Sequence, residues 1–274
     1  MLTKQPRILI PTDFSENSKV ALQYGISLAS ELKGEIILLH VIEPPYNFAT
    51  SVDNILHKLK ENANNLLNEW VKESARRKKV KIDTVLETGM TTSSILDLVQ
   101  TRNIDLVVMG SKGETGFAKI LFGSITADIM LHSPVPVLAI PVLKDEFEMD
   151  RILFATDLRK NDIDNLQKVI KLAELFNSQI DVLHIDKKGD FDSEIRFEGF
   201  RQMVKNSIHN SKITFNKYRN DNILTGINEY LSENPASLIV LSRYKKSVIG
   251  KFLGKEYTDK IGSYTNKPVL VLIA

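Results

Sequence analysis

The chain has 274 residues, 43% of them hydrophobic, with 36 basic and 34 acidic side chains and a formal net charge of +2. That length suits two compact domains of about 100–150 residues each, and so balanced a charge gives no reason to expect a polyanionic partner. The absence of cysteine excludes disulfides and thiolate metal ligands, and no apolar run approaches the ~20 residues that a membrane span needs. Because Met1-Leu-Thr-Lys-Gln-Pro6 passes straight into a strand-like run, no signal peptide is expected, and the expected location is the cytoplasm, with no membrane partner.

In chain order the apolar periodicity switches repeatedly between 2 and 3.6. Ile8-Leu-Ile10 is a short buried strand, and Ser15 can cap a helix carrying Val20, Ala21, Tyr24, Leu28 and Leu32. Glu35 to Val41 is a continuous apolar strand of the kind buried on both faces. A long amphipathic helix follows, with Ile55, Leu59, Ala63, Leu66, Trp70 and Ala75 in a polar background. The basic cluster Arg76-Arg-Lys-Lys-Val-Lys81 falls where this helix ends; without interleaved aromatics it reads as solvated surface and not as a nucleic-acid site. Val80–Leu86 alternates like a strand near a sheet edge, Ser94–Gln100 is a short helix, and Leu106–Met109 is a strand. Ile125–Leu131 is a helix, and Val137–Ile140 closes the half. Alternating strands and helices predict an α/β fold, a parallel sheet covered on both faces.

The second half repeats the first. Arg7-Ile-Leu-Ile-Pro-Thr-Asp13 recurs 144 positions later as Arg151-Ile-Leu-Phe-Ala-Thr-Asp157, and Leu39-His40-Val41 maps onto Leu183-His184-Ile185. Further on the offset becomes 132: Asp105-Leu-Val-Val maps onto Ser237-Leu-Ile-Val, Thr126 onto Thr258, and Pro136-Val-Leu onto Pro268-Val-Leu. The second copy has lost 12 residues between its second and fourth strands, and the domains are expected at 1–145 and 146–274. A repeat of this length is a domain duplication and not a solenoid period. The charged junction Val142–Met149 is short, so the halves are expected to pack together.

The most pointed feature is Gly110-Ser-Lys-Gly113, nine residues, then Gly123-Ser124, directly after the strand ending at Met109 and before a helix. Glycine after a buried strand lets backbone N–H groups approach an anion, and the following helix presents its positive end. The spacing is neither the Walker pattern nor GxGxxG, so turn geometry alone is the competing reading. In a doubly wound sheet, ligands bind beyond the carboxyl ends of the strands, where strand order reverses. Pro11-Thr12-Asp13, Val41 and Gly110 all fall there. Asp13 can accept from a ribose hydroxyl or an adenine amine, and equally suits capping the next helix; Ser124 can donate to a phosphate or cap its own helix.

Pro-Thr-Asp after the first strand, the second strand ending at Val41 and G-x2-G-x9-G-S together resemble the universal stress protein family in its tandem form, over essentially the whole chain. The resemblance implies two Rossmann-like doubly wound domains, each a five-stranded parallel sheet in the order 3-2-1-4-5, and an ATP-binding stress-response regulatory protein, with or without Mg2+. It implies that Asp13 and Val41 hold adenine and ribose and that Gly110, Gly113, Gly123 and Ser124 hold the phosphates. Pro11, Thr12 and Met109 would line the pocket, with Thr126 a weaker phosphate contact. It also implies pairing of closing strands, here between the two halves as an intramolecular pseudo-dimer through Val137–Ile140 and Val269–Ile273, with a homodimer and an unidentified protein partner as further expectations.

The second half departs from this pattern. At the 132 offset Gly110, Gly113, Gly123 and Ser124 become Ser242, Lys245, Lys255 and Glu256, which removes the glycines and sets a carboxylate where phosphate would sit. One nucleotide per chain is therefore expected, with the second domain degenerate and structural. No nucleophile–base pair is evident, and the five histidines (His40, His57, His132, His184, His209) have no metal-ligand spacing, so no catalytic or metal residue is assigned and slow ATP hydrolysis is the most expected. A nucleotide-free interaction scaffold of the same fold, or a slow ATP-hydrolysing enzyme, is the alternative.

Overall fold

The computed structural model describes residues 5–44, 52–75, 79–112, 122–141, 147–208, 212–244 and 267–273. These group into two compact units, one drawn from residues 5–141 and the other from 147–273. The first contains β1 (Arg7–Pro11), α1 (Glu16–Leu32), β2 (Glu35–Ile42), α2 (Val52–Ala75), β3 (Lys81–Thr88), α3 (Thr91–Thr101), β4 (Leu106–Gly110), α4 (Ser124–His132) and β5 (Val137–Ile140). Its strands are parallel, in the order β3-β2-β1-β4-β5. The continuous apolar runs form the middle of this sheet: Ile8, Leu9, Ile10, Leu38, Leu39, Val107 and Val108 have no exposed surface. Both faces of such a sheet are covered by helices, and so its strands do not alternate. β3, at the end of the order, is the exception and is largely exposed.

The second unit holds β6 (Arg151–Ala155), α5 (Lys160–Phe176), β7 (Gln179–Asp186), α6 (Phe191–Ser207), β8 (Ile213–Arg219), α7 (Ile223–Glu233), β9 (Leu238–Arg243) and β10 (Val269–Ile273). Its parallel order is β8-β7-β6-β9-β10, the same 3-2-1-4-5 winding. Register repeats as well as order. Ile8 lies opposite Leu106 in the first unit, and Ile152 opposite Leu238 in the second, the positions that the two sequence offsets require. Part of the deletion is visible in the second helix, which is 24 residues long as α2 and 17 as α6. The architecture is thus two Rossmann-like doubly wound units.

One helix face differs from the sequence expectation. In α2 the buried residues are Ala63, Leu67, Trp70 and Ser74, whereas Ile55, Leu59 and Leu66 are about 40% exposed. The spacing of the buried set (i, i+4, i+7, i+11) is a single ridge, and the apolar stripe is wider than that ridge. The residues beside the ridge therefore stay in water. The basic cluster at 76–78 and the junction at 142–146 lie outside the described residues.

Each unit ties the base of its first strand to the strand beside it through an arginine. Arg7 Nε donates to Glu35 Oε1 at 2.5 Å, and Lys81 Nζ reaches the other oxygen, Oε2, at 3.1 Å. In the second unit the acceptor moves inward: Arg151 Nε donates to Asp181 Oδ2 at 2.6 Å, and Thr214 Oγ1 donates to Oδ1 at 2.6 Å, with Asp181 wholly buried. The hydrogen bond that it donates to Asp181 holds the guanidinium above its ordinary pKa. A buried carboxylate needs both donors, and removing it strands the half-buried guanidinium and a hydroxyl. Asp181→Ala should destabilise the second unit by about 2–3 kcal/mol. Native-state hydrogen exchange of the β7 amides reads this directly; exchange as slow as in the parent chain would show that the pair contributes nothing.

Candidate functional site

The carboxyl ends of β1, β2 and β4 lie side by side, because β1 sits between β2 and β4 where the winding reverses. After β1 the chain turns sharply. Thr12 N–H donates to the Leu39 carbonyl at 2.8 Å, which pins the turn to β2. Phe14 then takes φ +62°, a left-handed conformation that costs a non-glycine residue about 1 kcal/mol. Two hydrogen bonds hold it there: Phe14 N–H donates to Thr12 Oγ1 at 3.0 Å, and His40 Nδ1–H donates to the Thr12 carbonyl at 2.8 Å. Since a carbonyl only accepts, the His40 proton sits on Nδ1. The Phe14 ring lies 4.4 Å from the imidazole and meets Trp70 edge-on at 5.5 Å.

The competing roles foreseen for Asp13 and Ser15 resolve into a division of labour. Ser15 is the N-cap of α1, its side chain accepting from Ser18 N–H. Asp13 is exposed, and its Oδ1 accepts from both the N–H and the hydroxyl of Ser15, at 3.1 and 2.5 Å. The carboxylate is thus oriented by the cap beside it and stands at the solvent side of the crevice. Pro11 and Val41 are half-buried, and Met109 is buried; β2 continues one residue past Val41, to Ile42. Glu43 caps α3 by accepting from Thr91 N–H and Oγ1, and these bonds hold its carboxyl below the usual range.

Gly110 ends β4, and a Cβ there would lie 3.1 Å from the Asn17 backbone in the first turn of α1 and from the Lys112 carbonyl. The glycine therefore already has a packing reason: it lets the α1 N-terminus close on β4. Its carbonyl accepts from Thr126 Oγ1 at 2.9 Å. Thr126 is buried, and its hydroxyl is engaged in anchoring α4. Gly123 is the N-cap of α4, with φ −62° and ψ 160°, an extended conformation open to any residue, so no backbone strain would follow from replacing it. Its N–H donates to the Ser111 carbonyl at 2.7 Å, and Ser111 N–H donates to Ile140 O at 2.7 Å. Ser124, exposed, opens the helix; among the described residues no side chain caps α4, and its first turn has no acidic residue.

These bonds bring Thr12, Asp13, Gly110, Gly123, Ser124 and Thr126 to one end of the sheet, joined through α1, β4 and α4. Gly113 lies outside the described residues, as do Lys245, Lys255 and Glu256 of the second half. In the second unit Ser242 stands where Gly110 does and accepts from Asn165 Nδ2 at 2.9 Å, both residues being buried. The positive-φ turn was not foreseen, because no glycine marks it. The signal available was the repetition of Thr12 and His40 as Thr156 and His184. Among the described residues no group of three or more His, Asp or Glu is placed to hold a metal ion, and no helix is long and apolar enough to cross a membrane.

Comparison with known proteins agrees with this architecture. The family model described as the universal stress protein family matches residues 6–141. Universal stress protein MJ0531 of Methanocaldococcus jannaschii is 32% identical over 144 residues, covering 51% of this chain and 84% of that protein. Universal stress protein MJ0577 of the same organism is 27% identical over 151 residues, covering 49% and 93%. The crystal structure of a universal stress protein from Archaeoglobus fulgidus aligns with 100% of this chain and 98% of its own, at a TM-score of 0.74 and 24% identity, a likeness of fold. On its sequence and its winding, the chain belongs to the universal stress protein family.

Proposed function

We propose that this chain is an ATP-binding stress-response regulatory protein that holds one nucleotide in its first unit, the second unit being structural. The observation that carries the reading is the start of α4. A helix N-terminus with, among the described residues, no side-chain cap and no acidic residue in its first turn is tied by Gly123 and Thr126 to the carboxyl end of β4, beside the strand-order reversal. Free N–H groups and the helix dipole favour an anion at such a place. In this reading Gly110, Gly113, Gly123 and Ser124 surround the phosphates, and Asp13 and Val41 take ribose and adenine. Pro11, Thr12 and Met109 line the pocket. Thr126 serves by positioning the loop. No general base is assigned, and hydrolysis is at most slow.

One observation favours a second reading, a nucleotide-free scaffold: the close approach of Gly110 to Asn17 explains that glycine without any ligand. Nucleotide released on denaturing the purified protein, identified by mass spectrometry, separates the two. Titration calorimetry with Mg-ATP should give a stoichiometry near one per chain, and a value near two would refute the assignment to a single unit.

Gly123 offers the cleaner substitution, because its φ of −62° is open to any residue, so replacing it adds no backbone strain. Gly123→Val would put a branched side chain over the helix N-terminus. The affinity for ATP should fall at least ~30-fold, equivalent to ~2 kcal/mol, with the circular-dichroism spectrum unchanged. Unchanged affinity with a native spectrum would favour the scaffold.

A further inference from the structure

The crevice of the second unit differs from the first in three side chains that meet one another. By the offsets of the repeat, Ser15, Ser18 and Lys112 become Arg159, Asp162 and Tyr244. Asp162 has no exposed surface. Its Oδ2 accepts from Thr156 Oγ1 at 2.8 Å and from the backbone N–H groups of Asp157 and Arg159 at 3.2 and 3.1 Å. Its Oδ1 accepts from the hydroxyl of Tyr244, the residue directly after β9, at 2.6 Å. The Arg159 guanidinium carbon lies 4.6 Å from the centre of the Tyr244 ring. Tyr244 lines a cleft together with Thr156, Ile185, Ile227, Leu241 and Ser242.

We infer that Tyr244 is a built-in plug: the chain fills the second crevice with its own phenol, held by Asp162 behind and Arg159 above, so that the crevice is a phenol-shaped site and not an anion site. A cation against a ring face and a hydrogen bond to a buried carboxylate together fix both ends of one side chain. Burial, then the bond to Asp162, pushes the phenol well above its ordinary pKa, which keeps the donor protonated. A phosphate entering here would displace that donor and face a buried carboxylate, which repels it. Three substitutions on two segments, the start of α5 and the end of β9, thus act together, whereas loss of the glycines alone would leave the crevice open. The contrast with the first crevice rests on the nucleotide reading; the plug itself does not.

The test uses the full chain and phenol as the probe. Tyr244→Ala should lower the unfolding temperature of the second unit by about 5–10 °C, and millimolar phenol should restore at least half of that drop while leaving the parent chain unmoved. Toluene, which fills the space without donating to Asp162, should restore less. A Tyr244→Ala protein indifferent to phenol, or a parent chain stabilised as much as the variant, would overturn the plug. If Tyr244→Ala does not fold, Tyr244→Phe decides the matter by ultraviolet titration: it should remove a tyrosine that ionises above the ordinary range, and a difference spectrum with a normal midpoint would refute the assignment. None of these readouts involves nucleotide, so failure of the ATP titration leaves them intact, and the reverse holds.

Discussion

The turn after the first strand of each unit is the constraint on which the rest depends. In both, a threonine hydroxyl accepts from the residue two positions on, which is held at positive φ: Phe14 at +62° and Leu158 at +59°. In both, a histidine of the next strand donates its Nδ1–H to the threonine carbonyl, at 2.8 Å from His40 and 3.0 Å from His184. A left-handed leucine or phenylalanine persists only where its surroundings over-determine it. Here the histidine, the hydroxyl and the bond from Thr12 or Thr156 to the neighbouring strand supply that. Because the turn is fixed, the first turn of the following helix comes down on the carboxyl end of β4 or β9 at a set distance, and the crevice acquires its floor.

From that common frame the units diverge by chemistry and not by topology. The first keeps small groups around the turn, with Ser15 capping, Ser18 bonded to Thr12, and Gly110 letting the Asn17 backbone close in. The second replaces Ser18 with a buried carboxylate, and Ala21 and Gly110 with a hydrogen-bonded Asn165–Ser242 pair, which Lys168 extends to the Ile273 carbonyl. Each such polar group is costly when buried unless its partners are present, so the replacements must come as sets. In the first, among the described residues, no side chain bonds across the start of α4. The second satisfies its polar atoms internally.

Much of this was legible in the sequence because burial on both faces writes itself as continuous apolar runs. Val137–Ile140 and Val269–Ile273 are strands over those very bounds, and the two offsets of the repeat reappear as register. Ser15 as a cap was legible too. What was not legible depends on side chains meeting across distant segments. Nothing in the letters says that Leu67, and not Leu66, faces the sheet, since the two share an apolar stripe wider than the contact. Nothing marks Phe14 as left-handed, since the usual glycine is absent and the compensation comes from His40, 26 residues away. Tyr244 directly follows an apolar strand, where a tyrosine is unremarkable until Asp162 and Arg159 are seen against it.

Glycine is where sequence reasoning and structure part most usefully. Gly110 and Gly123 belong to one motif, and by spacing alone both read as backbone opened to an anion. The structure gives them different physics. At Gly110 a Cβ would lie 3.1 Å from the chain's own backbone, so the glycine eases packing whether or not a ligand binds. At Gly123 the backbone is extended and open to any residue, so the glycine is not there to relieve strain. A property needed by the fold cannot by itself report a function. The weight of the nucleotide reading therefore rests on the α4 N-terminus and not on the glycine count, which is also why Ser242 in place of Gly110 says less about the second unit than the carboxylate and phenol that fill its crevice.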